Sequence, residues 1–245
     1  MGRDPGLLPG GAVDPTQVPV QRARGTGRVA ALTFDDGPDP RTTGRLLDVL
    51  ADLGVVATFC VVGANVTAPG GAALLRRIRD EGHALGNHSV DYADLGSASL
   101  EEVEAVLRDN LRIIRTALDD PEAAVPYFRA PNGNFGRTGP VAAALGMQPL
   151  GLGAVIHDWD ACPDRTVATI ADHLRAAISP GAVVLAHDGG GDRRTTVEAV
   201  ATVLPEKIAA GFRFTLPRGG GPPHPRPRGG RATLGRPAHL DQEQQ

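Results

Sequence analysis

The sequence predicts an α/β fold in which short strands alternate with helices around a parallel sheet, either open or closed into a barrel. Short apolar runs, which are typical of buried strands, recur along the chain, and segments with apolar residues at helical spacing lie between them. Polar residues cluster directly after these apolar runs, which is where α/β folds place their functional side chains.

Seven segments are strand candidates. The clearest are residues 29–34 and 55–62, which are almost continuously apolar. Runs of this kind are typical of strands that are buried on both faces of a parallel sheet. The remaining candidates are the run that ends at His88 and residues 126–128, 150–156, 182–186 and 212–216.

Helices are predicted between the strands, and the longest of them begins after Ser99. Ser99 and Glu102 have the spacing of a capping box, in which each residue satisfies a backbone N–H of the other. The helix that they begin carries one apolar face, formed by Val103, Leu107, Leu111, Ile114 and Leu118. The other predicted helices cover residues 42–53, 72–81, 138–145, 165–178 and 195–210.

This alternation runs through a single predicted domain, residues 28–216. Residues 1–27 mix Gly, Pro and charged residues and are predicted to be an irregular N-terminal extension. Residues 217–245 are rich in Pro, Gly and Arg. A segment of that composition buries too little apolar surface to offset the entropy lost on ordering, so it is predicted to be a disordered tail.

The overall composition is that of a soluble globular protein, with 41% hydrophobic and 22% charged residues. A formal net charge of −3 gives no reason to expect a nucleic-acid partner. The two cysteines, Cys60 and Cys162, are too few for a disulfide framework or a zinc cluster. No apolar stretch approaches the roughly 18 residues that a membrane span requires.

Residues 1–27 contain no apolar segment of the kind found in signal peptides. The expected location is therefore the cytoplasm. A wrongly assigned start codon would hide an export signal, and the protein would then be secreted.

The strongest chemical signal is the run TFDDGP at residues 33–38, at the end of the first predicted strand. Two adjacent carboxylates, Asp35 and Asp36, repel each other unless a cation or a shared proton lies between them. One carboxylate can therefore ligate a divalent metal ion while its neighbour stays free as a base. An acidic turn exposed to water would give the same local pattern.

Further polar residues follow the later strands. His88 ends the third strand, Arg129 follows the fourth, Asp158 and Trp159 follow the fifth, and His187 ends the sixth. Each of them alone also fits a loop salt bridge or a hydrogen-bonded histidine. Acids, histidines and one arginine that converge on the same edge of a sheet predict a metal-assisted hydrolase.

On these motifs, and above all on TFDDGP, the chain resembles the NodB-type polysaccharide deacetylases, the fourth family of carbohydrate esterases. The resemblance covers roughly residues 28–216. It implies a distorted or incomplete (β/α) barrel of about seven strands, the NodB homology domain.

The resemblance also implies a metal site with a base beside it. Asp36 and His88 match two of the family's metal ligands, and Zn²⁺ is the expected ion. Asp35 matches the catalytic base, and Arg129 matches the arginine that orients this base.

Further positions match the general acid and the substrate-binding residues. His187 matches the general acid, and Asp158 matches the carboxylate that tunes it. Asn132 stands where the family usually has tyrosine, and its backbone N–H would help to stabilise an oxyanion. Trp159 matches a wall of the substrate groove, and Leu185 matches a lining of the pocket for the acetyl methyl group.

One position departs from the family pattern, in which a second histidine four residues after the first supplies the third metal ligand. Tyr92 stands at that position here. Its phenol could ligate the metal ion, Asp91 could turn inward instead, or Asp36 and His88 could hold the ion with water alone. Neighbouring side chains of an extended segment point to opposite faces, which argues against joint ligation by Asp91 and Tyr92. Because phenol is a poor zinc ligand at neutral pH, the site with two protein ligands is favoured.

The predicted function is a metal-dependent hydrolase that removes acetyl groups, in the first place N-acetyl groups, from a carbohydrate or an acetylated sugar-bearing metabolite. One alternative is a metal-impaired pseudoenzyme that only binds carbohydrate, because Tyr92 replaces a ligand. Retention of both Asp35 and His187 argues against it, since a binding module needs neither a base nor an acid. The other alternative is an amidohydrolase that acts on a non-acetyl C–N bond of a small metabolite.

Overall fold

The computed structural model describes residues 19–159 and 165–220, and the structural statements below concern these residues. Their strands form one sheet in the order β5-β4-β3-β2-β1-β7-β6, and β8 pairs with the first residues of β1. All pairings between the strands are parallel. The strands are β1 (Val29–Asp35), β2 (Thr58–Val61), β3 (Ala84–Asn87), β4 (Tyr127–Phe128), β5 (Gln148–Pro149), β6 (Ala154–Val155), β7 (Ala182–His187) and β8 (Arg213–Phe214).

The sheet curls into an incomplete (β/α) barrel, which confirms the predicted fold class. Among the described residues, the two edge strands β5 and β6 do not pair with each other, so the barrel stays open at that seam. The prediction of one strand over residues 150–156 is wrong in detail. β5 precedes that segment and β6 lies inside it, and residues 150–153 belong to neither strand. Pro149 lacks a backbone N–H and is tolerated because β5 is an edge strand.

Helices follow most of the strands. They are α1 (Thr43–Asp52), α2 (Gly63–Thr67), α3 (Gly71–Asp80), α4 (Leu100–Leu118), α5 (Thr138–Ala144), α6 (Val167–Ala177) and α7 (Arg194–Ala209). The capping box of α4 is confirmed, because the Ser99 side chain accepts from the Glu102 N–H and the Glu102 side chain accepts from the Ser99 N–H. The short helix α2 was not predicted, since five residues carry too little periodic signal.

The two faces of β1 explain how the barrel places its first carboxylate. Ala30, Leu32 and Phe34 belong to the large core between sheet and helices, whereas Val29 and Ala31 belong to a smaller cluster on the other face. Side chains alternate between the faces of a strand, so Asp35 continues the second series at the carboxyl end of β1. The strand therefore delivers this carboxylate to the end of the barrel interior.

Segments beyond both predicted domain boundaries pack against the barrel. The Arg24 side chain donates to the carbonyl oxygens of Pro217 and Gly219 and to the Tyr127 hydroxyl. The Tyr127 hydroxyl in turn donates to the Pro217 carbonyl at 2.7 Å. The packed part of the chain therefore extends to Gly220, beyond the predicted boundary at residue 216, and residues 221–245 of the predicted tail lie outside the described residues.

Cys60 is buried and unpaired in β2, as its apolar surroundings predict, whereas Cys162 lies outside the described residues. Within the described ranges, no helix is both long and apolar enough to cross a membrane.

Candidate active site

A cavity of about 410 Å³ opens at the carboxyl ends of the strands. Parallel strands end at the same edge of a barrel, so residues far apart in sequence meet there. Seven of the predicted site residues line the cavity: Asp35, Asp36, His88, Asn132, Trp159, Leu185 and His187. The remaining two, Arg129 and Asp158, are fully buried directly behind it and hold Asp35 and His187.

Arg129 orients the Asp35 carboxylate. Its Nη1 atom lies 2.6 Å from Asp35 Oδ1, and its Nη2 atom donates to the Gly151 carbonyl at 3.0 Å. A guanidinium fork held at two points fixes the direction of the carboxylate as well as its charge. The second oxygen, Oδ2, lies 3.8 Å from His88 Nε2, on the side of the predicted metal ligands.

The backbone turns sharply after Asp35, so that Asp36 also reaches the cavity. Asp36 has a φ of 70°, in the left-handed region that side chains other than glycine rarely adopt. The glycine loop after β7 lies directly against it. A Cβ atom at Gly189 would lie 2.1 Å from the Asp36 carbonyl oxygen, and one at Gly190 would lie 2.4 Å from Asp36 Oδ2. Glycine at these two positions therefore permits the close approach.

His88 is held in the tautomer that a metal ligand needs. Its Nδ1 atom lies 2.8 Å from the Arg129 carbonyl oxygen, which can only accept, so Nδ1 carries the proton. The lone pair of Nε2 then points towards Asp36, with Nε2 3.4 Å from Asp36 Oδ1. Two ligand atoms at this separation can bind one ion with bonds of about 2.0–2.2 Å. Asp36 and His88 therefore fit a shared divalent cation.

The charges around His88 favour a cation as well. Burial by itself lowers the pKa of His88, but the Asp35 and Asp36 carboxylates outweigh burial and raise this pKa above its ordinary value. When no ion is bound, a proton on His88 Nε2 can take its place. Burial acts to raise the pKa of Asp36, and the hydrogen bond and charge of protonated His88 reverse this and lower it. The site thus stabilises positive charge between the two carboxylates.

No third acidic, histidine or cysteine ligand joins Asp36 and His88 among the described residues. Asp91 is exposed and caps the Ala93 N–H at 2.9 Å, so it does not turn inward. Tyr92 lines the cavity, and its hydroxyl oxygen accepts a hydrogen bond from Asn65 Nδ2 at 2.8 Å. Burial raises the pKa of Tyr92 despite this hydrogen bond, which disfavours the phenolate form that ligates a metal ion. Two protein ligands therefore remain.

The second reactive group is the pair of His187 and Asp158. The Asp158 carboxylate accepts from His187 Nδ1 at 2.7 Å and from the His187 backbone N–H at 2.8 Å. Thr196 Oγ1 donates to the same carboxylate at 3.0 Å. Burial lowers the pKa of His187, and the hydrogen bond and charge of Asp158 outweigh it and raise this pKa. His187 Nε2 makes no hydrogen bond with a described residue and is available to a substrate.

The walls of the cavity include the predicted substrate-binding residues. Trp159 is 42% exposed, and its ring lies 5.0 Å from that of His187, edge to face. Leu185 is buried on β7, in line with an apolar pocket for a methyl group. Asn132 lines the cavity from a short 3-10 turn, in which it has a φ of 57°. Their roles in binding stay predictions.

Several further residues of the site were missed from the sequence. Leu152 lines the cavity beside Gly133. Arg193 is buried, and its guanidinium donates to the carbonyl oxygens of Asp158, Gly189 and Gly190, which ties two loops together. The position of Arg193 between β7 and α7 was the only signal that could have indicated it.

The chain matches the family model described as polysaccharide deacetylase over residues 22–150. It is 31% identical over 206 residues to a peptidoglycan-N-acetylglucosamine deacetylase of Bacillus cereus, covering 82% of this chain and 92% of that protein. It is 33% identical over 215 residues to a chitooligosaccharide deacetylase of Rhizobium leguminosarum bv. trifolii, covering 83% of this chain and 97% of that protein.

A solved structure supports the same relationship. The family 4 acetyl xylan esterase from Clostridium thermocellum, in complex with a cobalt ion, superposes with a TM-score of 0.67 at 31% identity. The match covers 77% of this chain and 87% of that one. The similarity therefore extends over most of both chains.

Proposed function

We propose, from the premise that this chain belongs to the polysaccharide deacetylase family, that it hydrolyses N-acetyl groups of a carbohydrate with the help of a divalent metal ion. The chain is an enzyme of the deacetylase type, which cleaves carbon–nitrogen bonds other than peptide bonds. The metal ion and the N-acetylated sugar are the parts of the proposal that need a test.

One observation carries the proposal. A carboxylate and a histidine face the same cavity, and each is held from behind by a buried group of opposite charge. Arg129 holds Asp35, and Asp158 holds His187. A site that only binds sugar gains nothing from two such pairs, whereas hydrolysis of an amide needs a base for the water and an acid for the departing amine.

We infer the proton transfers from the positions of these groups. Asp35 accepts a proton from the water that attacks the acetyl carbonyl carbon. His187 then donates a proton from Nε2 to the amine nitrogen as the C–N bond breaks, and acetate and a free amine result. The raised pKa of His187 keeps a larger fraction of this residue in the acid form near neutral pH.

Asp36 and His88 would hold the divalent ion in this reaction. The ion supplies a Lewis acid that polarises the carbonyl and makes water easier to deprotonate. The backbone carbonyl of Arg129 fixes the His88 ring, and Gly189 and Gly190 lie close against Asp36, so both residues are positioned before the ion binds. We infer Zn²⁺ as the first candidate, since one carboxylate and one imidazole suit it.

The rival proposal is a metal-impaired protein that binds carbohydrate without cleaving it. Tyr92 at the third ligand position is the observation that favours it. A panel of chitin oligomers, acetylxylan and simple amides separates the candidates, with acetate release measured after chelation and after addition of Zn²⁺ or Co²⁺. We expect acetate from chitin oligomers only when metal is present. Release of a different product from the amides would favour the amidohydrolase.

Asp35→Asn tests the assigned mechanism. This change removes the base but leaves Asp36 and His88 in place, so turnover is expected to fall by at least about 100-fold while bound metal stays the same. Asp48→Asn, a change of the same kind on the exposed face of α1, is the matched control and should keep full activity. Equal metal loss in Asp35→Asn and Asp36→Asn would contradict the assignment of base and ligand.

A further inference from the structure

A second cavity, of about 460 Å³, adjoins the first on the side of Tyr92. Both cavities are lined by Asp36, Tyr92 and Gly190, so they meet around the predicted metal ligand. Each volume lies in the range of about 300–1,000 Å³ that is typical of small-ligand sites. The two cavities thus form one groove that continues past the reacting centre.

Tyr92 is the most exposed large hydrophobic side chain among the described residues, with 48% of its surface accessible. Its position next to the catalytic groups makes this exposure informative, because a single exposed aromatic elsewhere on a surface needs no explanation. An aromatic ring offers a flat apolar face beside a polar edge. The C–H face of a pyranose ring, with hydroxyl groups around its rim, has the complementary chemistry.

Asn65 holds the tyrosine in place. Its Nδ2 atom lies 2.8 Å from the Tyr92 hydroxyl oxygen and 2.6 Å from the Asp36 carbonyl oxygen. Because the hydroxyl oxygen accepts from Asn65, its own proton remains free to donate, and no described residue accepts it. The ring is therefore fixed beside the centre with one donor directed away from Asn65.

The remaining walls favour a neutral polar ligand. Arg41 and Asp39 pair at 2.6 Å, and Arg41 Nη2 also lies 3.4 Å from the Gly191 carbonyl oxygen. Since these two charges offset each other, the part of the wall away from Asp36 attracts neither an anion nor a cation strongly, yet it presents both donors and acceptors. A sugar ring needs both, because each hydroxyl group donates and accepts.

We propose that this second cavity is a subsite for the sugar unit adjacent to the one that is deacetylated, with the Tyr92 ring as its platform. The subsite rests on the proposed function. It assigns a sugar-binding role to Tyr92, which stands at the position of the family's third metal ligand.

Binding can be measured without turnover, because Trp159 is the only tryptophan of the chain and lines the first cavity. Its fluorescence reports occupancy of that cavity in the presence of a chelator. We would titrate N-acetylglucosamine and chitin oligomers of increasing length into the wild type and into Tyr92→Phe and Tyr92→Ala. Leu100→Ala, at a residue with 45% exposure on α4, is the matched control.

We expect the wild type to bind the longer oligomers about tenfold or more tightly than the monosaccharide. Tyr92→Ala should lose most of this gain, Tyr92→Phe should keep most of it, and Leu100→Ala should keep all of it. Melting temperatures of the variants verify that they are folded. The proposal is overturned if the wild type shows no gain with length, if Tyr92→Ala keeps the full gain, or if Tyr92→Phe loses as much as Tyr92→Ala.

The acetate assay separates this inference from the proposed function. Oligomer binding that depends on Tyr92, without acetate release by the metal-loaded wild type, supports the subsite and refutes the deacetylase. Acetate release with binding that does not depend on Tyr92 refutes the subsite alone.

Discussion

Replacement of Arg129 by methionine should destabilise the protein more than any surface substitution of the same kind. Arg129 is fully buried, and its guanidinium lies 2.6 Å from a carboxylate that is itself 2% exposed. Arg129→Met leaves Asp35 as a buried charge without this partner, which costs about 3–5 kcal/mol of unfolding free energy in comparable cases. It also removes the donor to the Gly151 carbonyl, worth about a further 1 kcal/mol.

A total loss of about 4–6 kcal/mol lowers the melting temperature of a domain of about 200 residues by about 8–24 °C. Urea unfolding at neutral pH, with a chelator present to exclude metal binding, measures the free energy directly. Arg108→Met is the control, since Arg108 pairs with Glu104 at 2.7 Å on the exposed face of α4. That exposed pair should be worth about 0.2–1 kcal/mol.

A double-mutant cycle isolates the ion pair. Asp35→Asn removes the charge that Arg129→Met leaves unpaired, so the double variant should be more stable than Arg129→Met alone. We expect a coupling energy of about 2 kcal/mol or more between the two positions. Additive effects, or a loss below about 1 kcal/mol in Arg129→Met, would refute the conclusion that Arg129 compensates a buried charge.

Three further predictions concern other groups at the site. Burial, together with the nearby Asp36 and Asp35 carboxylates, raises the pKa of Asp188 from 3.8 to about 7, so the folded state binds this proton more tightly than the unfolded state. The free energy of unfolding of the wild type should therefore fall as pH rises between these two values, by up to about 1.4 kcal/mol per pH unit. Urea unfolding of Asp188→Asn, with a chelator present, should show a free energy that depends less on pH. Asp158→Asn should lower the pKa of His187, so the alkaline limb of kcat/KM should move to lower pH, and an unmoved limb would show that His187 is not the acid. Tyr92→His should raise divalent-metal affinity by one to two orders of magnitude, about 1.4–2.8 kcal/mol, as measured by calorimetry. Unchanged or weaker binding would show that Tyr92 or Asp91 is already a ligand and that the site is not weakened.

The strand ends of the site could be predicted because the relevant signals are local. An apolar run that ends in Asp35, His88 or His187 indicates both a buried strand and the edge at which its last side chain emerges. Parallel pairing then brings those edges together without further information, and Asp35 is in register with His187 across β1 and β7. The family resemblance supplied the predicted roles. Asp36 and His88, the predicted metal ligands, have Oδ1 and Nε2 only 3.4 Å apart, close enough to bind one ion.

The short strands and the segment ends were harder to predict. β5 and β6 are each two residues long, too short for a periodic pattern, and a single strand over residues 150–156 was predicted in their place. The equally short β4 and β8 do lie inside the predicted strands 126–128 and 212–216. The packing of Arg24 and Tyr127 against Pro217 depends on contacts across 193 and 90 residues of sequence. Composition alone predicts that Pro217 belongs to the disordered tail.

The sequence by itself determined the fold class, the carboxyl edge at which the chemistry lies and the departure at Tyr92. Only the tertiary structure decided how that departure is accommodated. Asn65, on a helix too short to predict, holds the Tyr92 hydroxyl, and Thr196 reaches the Asp158 carboxylate across 38 residues of sequence. These two contacts form because α2 and α7 pack against the sheet. No local pattern encodes this packing, because the free energy of each contact depends on burial that exists only after the barrel has formed.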